Sequence, residues 1–478
     1  MMAARRTFLK LLPLLLVAAC STTVGPDYRV PAQAVVARPE AATPFLGAAD
    51  KPFSAQPLPA QWWRLYRDAT LDGLVDKAPA ANTDLRVAAA NLERSRAVVA
   101  EAEQLQRPGV DLSAAPAFGR AAGAVSGVPH ALPDRASYDT GLHVSYQLDL
   151  FGKIRRAVEA AGADADAAQA ALDLARVTVA ADTARAYARC LRHRPADRDR
   201  AAVRRLAGQV RALHRPAGEA WPRHRPRQQP RAGPTGTIAR SAATIEAQRR
   251  AALYRLAVLT GDVPGRFPPA VAQCERAPQL ASTIPVGDGA ALLRRRPDIR
   301  QAERQLAATT ARIGVATGEL YPAISLGLSA GSSGTLSGFG EGNTLRYSLG
   351  PLISWSLPAT GTARMHIAQA EAGTGGALAR FDGVVLNALR ETETALSTYA
   401  RELDRNAALR AARDQSALAA QQADRLYRFG RTDFLTTLDA QRTLATSEAA
   451  VAASNAALAS DQVTLFLALG GGWEGAPR

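Results

Sequence analysis

The chain has 478 residues, more than one ordinary hydrophobic core, yet aromatic residues make up only 5% of it and Ala and Leu carry its apolar content. That composition favours long packed helices over one large globular core. Of the formal net charge of +15, the segment 192–234 supplies twelve Arg against Asp197, Asp199 and Glu219, so the rest of the chain is mildly basic and its charge points to no nucleic-acid partner.

Arg5, Arg6 and Lys10 precede an apolar run, LLPLLLVAAC, that is too short for a stable membrane anchor and ends in small residues. Residues 1–19 read as a secretory signal. ValAlaAlaCys at 17–20 resembles a bacterial lipobox, which makes Cys20 the lipid attachment point, an N-palmitoyl and S-diacylglycerol cysteine. Ser21, in place of Asp, implies by resemblance to lipoprotein sorting that the acylated chain goes to the outer membrane. Cys190 and Cys274 suggest neither a disulfide framework nor metal spacing, and they receive no role.

Comparison of the chain with itself exposes a repeat. Asn82-Thr-Asp-Leu-Arg86 matches Arg296-Pro-Asp-Ile-Arg300, and at the same spacing Leu92 meets Leu306, Pro108 meets Pro322 and Leu112 meets Leu326. After a loop the register resumes, with Tyr138 against Tyr347, Gly141 against Gly350, Gly152 against Gly361 and Arg155 against Arg364. The two copies occupy 61–261 and 291–470, with an acylated extended segment over 20–60, a linker over 262–290 and a tail over 471–478.

Each copy reads helix, strand, strand, helix, helix. The first helix, from Asp84 to about Gln106, stops before Pro108, whose ring cannot continue the hydrogen-bond ladder. Alternating runs at 110–118 and 138–150 form one strand hairpin, and runs at 323–329 and 345–357, joined by a Gly-rich loop from 330, form the other. Four such strands are long enough to cross a bilayer but too few to close a barrel, and open edges cannot sit in lipid. Either the strands face water or several chains pool them. From Gly361 to Arg428, and again from Thr432 to Leu469, there is no proline, which predicts a long helical hairpin over 361–469 turning at Phe429-Gly430.

These residues resemble the outer-membrane efflux protein family, the TolC-like channels, in its NodT-type lipoprotein branch. The motifs are ValGlyProAspTyr at 24–28, TrpTrp at 62–63, RRPDIRQAERQLA at 295–307, YPAISL at 321–326, LDAQRTL at 438–444 and ALGGGWE at 468–474. The resemblance implies a mixed α and β membrane protein: a homotrimer whose twelve pooled strands form an outer-membrane β-barrel, continued by a long periplasmic α-helical barrel. It implies a passive exit duct for drugs or other small molecules, working with a periplasmic adaptor and an inner-membrane pump of the resistance-nodulation-division type. It also implies an outer-membrane lipid environment in a Gram-negative cell. A type I secretion duct is the nearer alternative.

By the same resemblance, Leu435 forms an apolar ring and Asp439 a carboxylate ring at the periplasmic gate, with Tyr427 as a polar latch. Leu435 and Asp439 lie four apart and share one helix face. The basic latch residue of some relatives is Leu426 here, flanked by Arg425 and Arg428. No phosphate loop, zinc helix motif or nucleophile elbow occurs, and half of the six His fall in the segment 192–234, so no catalytic residue, cofactor or metal site is expected.

That segment includes HRPAGEAWPRHRPRQQPRAGP at 214–234, where the second copy has helix. Pro195, Pro216, Pro222, Pro226, Pro230 and Pro234 forbid a helical hairpin, each interior Pro costing about 3 kcal/mol. The copy is not lengthened, as an inserted arm would require. Shifted by one base, codons compatible with the stretch from Arg223 permit GTDLDSNRAQAQL, close to GRTDFLTTLDAQRTL at 430–444. The reading is a compensated frameshift over about 190–237 at the tip of the first helical hairpin, which would leave a non-functional variant if it is present in the gene.

Overall fold

The computed structural model describes residues 23–49, 52–120, 129, 133–191, 235–267, 271, 280, 283–355 and 360–471. In chain order these form β1 (Phe53–Ser54), α1 (Ala69–Ala81), α2 (Thr83–Gln104), β2 (Gly109–Gly119), β3 (Arg135–Leu148), α3 (Lys153–Leu191) and α4 (Thr235–Leu259). They continue with β4 (Ile284–Pro285), α5 (Gly289–Arg295), α6 (Pro297–Gly318), β5 (Ala323–Thr335), β6 (Leu345–Ser354), α7 (Thr360–Arg428) and α8 (Phe434–Ala468). Short 3₁₀ turns at Val35–Ala37, Pro39–Ala42 and Leu46–Ala49 interrupt the N-terminal segment expected to be extended. The signal, Cys20, Cys274 and the proline-and-arginine segment 192–234 lie outside the described residues.

Two compact units divide the chain: one takes Met1–Ala34, Asn91–Gln169 and Arg300–Asp382, the other Val35–Ala90, Ala170–Ile299 and Gly383–Arg478. They do not follow the sequence repeat, because each unit draws segments from both copies. In the first unit the cause is the sheet. Its order is β2-β3-β5-β6, antiparallel throughout, so β3 of one copy pairs with β5 of the other, from Ser137 opposite Thr335 to Leu148 opposite Ile324.

β5 is longer than the alternating run at 323–329 suggested. Ala330 to Thr335, read as the start of a loop because they are small, continue the ladder against β3. Small residues lack the apolar alternation that marks a strand, but they pair as well as any others once a partner strand is present.

The motif at 24–28 is a strap across this unit. Val24 N–H donates to Phe151 O at 3.0 Å. Arg156, whose side chain is 4% exposed, donates to Val24 O, Gly25 O, Asp27 and Glu159. Gly25 has φ +84°, and a Cβ there would lie 2.4 Å from Gly314 Cα, so only glycine fits the crossing. The Tyr28 hydroxyl donates to Glu303 and its ring lies under Arg304, while burial and the adjacent Glu303 carboxylate push its pKa up to about 12.

The second unit has an aromatic core. Trp62 stacks on Phe466 at 4.6 Å between centroids, and the Tyr66 hydroxyl donates to Gln462, whose amide in turn donates to the Tyr399 hydroxyl. Asp68 caps α1 by accepting from Thr70 N–H and Leu71 N–H, and it also accepts from the Tyr187 hydroxyl at 2.9 Å. The repeat is visible here as shared chemistry. Asn82 donates to Leu259 O in the first copy, and Arg296 donates to Ala468 O at the matching place in the second. Each contact fastens the start of one helix to the end of another, where carbonyls lack intrahelical partners.

Residues 383–428 of α7 pack against α8 along a seam of small and polar side chains. Asn406 donates to Ser454 and Asn455, Ser454 donates to Glu402, and Thr437 donates to Ala423 O. Ala420, Ala423 and Ser454 are buried in the seam. The hairpin ends as the sequence suggested. Arg431 N–H donates to Leu426 O and Gly430 N–H to Tyr427 O, a helix stop that needs the left-handed φ of +69° at Gly430.

Candidate functional site: the strand sheet and the helical tip

Strand periodicity gives the sheet two chemically opposite faces, and the pairing register aligns them across all four strands. Leu112 faces Leu142, Leu142 faces Ala330, and Ala330 faces Tyr347; in the next apolar row Val110, Val144, Leu328 and Leu349 line up. On the other face Asp111, His143, Ser329 and Ser348 form one row. Leu112 is 83% exposed, Tyr347 87% and Leu349 69%, an apolar surface far beyond what a water-facing sheet carries.

The two outer strands, β2 and β6, each have one neighbour in the sheet. Their remaining edges carry unpaired backbone groups, which an apolar face in lipid does not tolerate. At the end of β3 nearest α3, the rings of Phe151 and Tyr321 stack at 4.5 Å. Such aromatic pairs suit the boundary between hydrocarbon and water.

At the helical tip, Leu435 sits in the first turn of α8 and is 71% exposed, and Asp439 follows one turn later, also exposed. Both occupy the shared face expected of them. Tyr427 lies in the last turn of α7, half-buried, with its ring 5.8 Å from Phe434. Sequence reasoning missed Phe434 as its neighbour. It also missed Asp433, which caps α8 by accepting from Thr436 N–H at 2.7 Å. The hydrogen bonds from Thr436 hold the Asp433 carboxyl below the usual range. Of the two basic residues beside Leu426, Arg428 pairs with Asp424 at 2.7 Å. Cys20, the fourth residue singled out from the sequence, is outside the described residues.

A half-open cavity of about 440 Å³ in the second unit is lined by Arg296, Asp298, Glu391, Asp461 and the threonines 394, 398 and 464. Arg296 fills its polar wall, bonded to Asp298 at 2.6 Å and Glu391 at 3.0 Å. Burial works against the Arg296 charge, and the two carboxylates more than offset it. Among the described residues no group of three or more His, Cys, Asp or Glu could hold a metal ion.

A two-faced sheet with open edges in one unit, and long paired helices in the other, are the two parts that the class of outer-membrane channel proteins combines. The family model described as outer membrane efflux protein matches residues 74–209 and 290–471. The chain belongs to that family and is an outer-membrane efflux channel, not an enzyme. It is 30% identical to the solvent efflux pump outer membrane protein SrpC of Pseudomonas putida, over 97% of this chain and 98% of that protein. Nodulation protein T of Rhizobium leguminosarum bv. trifolii is 29% identical over 86% of this chain and 88% of its own length. The solved structure of the outer-membrane channel OprN superposes with a TM-score of 0.80 at 32% identity, covering 95% of this chain and all of that one. The family match stops inside the proline-and-arginine segment, at residue 209, and resumes at residue 290.

Proposed function

We propose that three copies of this chain pool their sheets, β6 of each pairing with β2 of the next, into one twelve-stranded barrel that carries small molecules out through the outer membrane. The observation that carries this reading is the sheet itself, with one apolar face, one polar face and two open edges. Its strands of 10 to 14 residues suit a bilayer crossing, for which about 9–11 tilted residues are enough. Closure satisfies every edge group and turns the apolar face to lipid and the polar face to the lumen.

Cys20 carries the acyl chains. Thr23 lies against Gly152, where an added Cβ would come within 2.8 Å of it. The lipid and the barrel share the outer membrane. The long helices form a periplasmic tunnel, and a periplasmic adaptor couples it to an inner-membrane pump of the resistance-nodulation-division type. Relatives are named for the efflux of solvents and toluene and the export of pyoverdine, and the substrates here are small organic molecules of that kind.

Leu435 and Asp439 form rings at the tunnel's narrow end and Tyr427 holds its hairpin in place. Three carboxylates near one axis attract cations and repel anions. Heat-modifiable trimers are expected in outer-membrane fractions, and in planar bilayers Asp439→Ala is expected to raise the closed-state current and lower the cation preference. Unchanged current and preference would remove Asp439 from the gate, and absence of trimers would remove the barrel.

The segment 192–234 stands where the first hairpin's tip belongs, written in a shifted frame. A channel-deleted host is expected to regain little drug tolerance from this chain and more from one carrying the frame-restored segment; equal tolerance from both would end that reading.

A further inference from the structure

On the polar face of the sheet, Gly141 of β3 stands directly opposite Gly331 of β5, and Gly331 opposite Arg346 of β6. Neither glycine puts a side chain of its own between β6 and β3. The Arg346 side chain lies flat across β5 and reaches the Asp139 carboxylate on β3, two strands away. A Cβ on Gly331 would stand 2.3 Å from Thr140 O and 3.3 Å from Arg346 Nε, and one on Gly141 3.1 Å from Ser113 Oγ and 3.9 Å from Arg346 Nη2. The glycines serve the close approach of Thr140 and Ser113 first, and beside that they leave room for Arg346 to reach Asp139.

The pair contributes little to stability, since its side chains are 55% and 47% exposed and exposed ion pairs are screened. Its effect lies in the field. The charged residues of this face among the four strands are Asp111, Arg135, Asp139 and Arg346, with His143 opposite Asp111. With Asp139 neutralised by Arg346, Asp111, near the start of β2, is the carboxylate of this face left without an ion-pair partner among the described residues. Inside a narrow channel with low-dielectric walls, each added or removed charge is felt more strongly than on an open surface.

We propose that the Arg346–Asp139 pair is a charge clamp that sets the ionic preference of the barrel lumen, admitting both cationic and anionic solutes by cancelling a ring of carboxylates. This rests on the barrel reading above, in which the polar face lines the lumen. Loss of Arg346 unmasks three carboxylates in the trimer, and loss of Asp139 unmasks three guanidinium groups.

Ser348 lies two residues from Arg346 on the same face, about 7 Å along the strand, within a Debye length at physiological salt. Ser348→Cys in intact cells is therefore the probe, labelled with the trimethylammonium and the sulfonate ethyl methanethiosulfonates and corrected for labelling of the chain without the added cysteine. Ser348→Cys is expected to react and Leu349→Cys, on the lipid face, to be protected. Arg346→Gln is expected to raise the ratio of cationic to anionic labelling rates about threefold. Asp139→Asn is expected to lower it, and the double variant to return it to the starting value. Protection of Ser348→Cys together with reaction of Leu349→Cys would overturn the barrel reading itself. A reactive Ser348→Cys whose ratio moves with neither single variant would overturn the clamp alone. Trimer abundance in the outer membrane separates either outcome from failed assembly, and the two single variants must shift the ratio in opposite directions.

Discussion

Trp62→Ala is expected to lower the stability of the second unit by about 3–5 kcal/mol, read as a large drop in the thermal midpoint of the detergent-solubilised protein. The Trp62 side chain is fully buried. It stacks on Phe466, meets Trp63 edge-on at 5.9 Å and Tyr66 at 6.4 Å, and a Cβ on Gly471 would come within 3.1 Å of it. Truncation removes the ring that the end of α8 and the segment before α1 share, and these are too firmly held to collapse into the space. Trp62→Phe is the informative control. The indole N–H has no hydrogen-bond partner among the described residues, so Phe loses volume but no hydrogen bond and keeps the stack on Phe466. A midpoint for Trp62→Phe as low as that for Trp62→Ala would mean that ring volume, not stacking, holds this core.

Arg296→Ala is expected to cost about 2–3 kcal/mol in the same measurement, because it removes a buried guanidinium from two carboxylates that water screens only in part. Arg296 is 9% exposed and serves three partners at once: Asp298 through Nε and Nη2, Glu391 through Nη2, and Ala468 O through Nη1. Without it, the Asp298 and Glu391 carboxylates lose the cation they share, and Ala468 O keeps only the longer bond from the Thr392 hydroxyl. Arg296→Lys is expected to recover little, since an ammonium cannot span that fork. Asn82→Ala, at the matching place in the first copy, removes a neutral amide and a helix cap and is expected to cost about 1 kcal/mol. Equal losses at the two positions would show that the charge cluster adds nothing to the fastening that both share.

The pairing of Asn82 with Arg296 also marks the limit of what could be read in advance. The sequence aligned the two residues through the repeat, and nothing in their types announced a common role. One is an amide and the other a guanidinium, and they are alike only in the carbonyl each reaches. The residues proposed for the gate show the same limit at closer range. The spacing of Leu435 and Asp439 placed them on one helix face, while the neighbour of Tyr427 is Phe434, across a turn whose geometry depends on Gly430.

By itself the sequence determined the repeat, the type of nearly every element, the proline-free helices and the two-faced strands, because all of these follow from local periodicity and backbone restriction. It also pointed to the family, through motifs spread along the whole chain. The tertiary structure decided that β3 pairs with β5, which extends β5 to Thr335 and merges the two copies in one sheet. It decided that the ValGlyProAspTyr motif is a strap held by Arg156, and that Gly141 and Gly331 leave room for Arg346. The physical reason is common to all three. Periodicity is carried by neighbours in the chain, whereas the partner of a strand edge or a guanidinium is chosen by packing between segments more than a hundred residues apart.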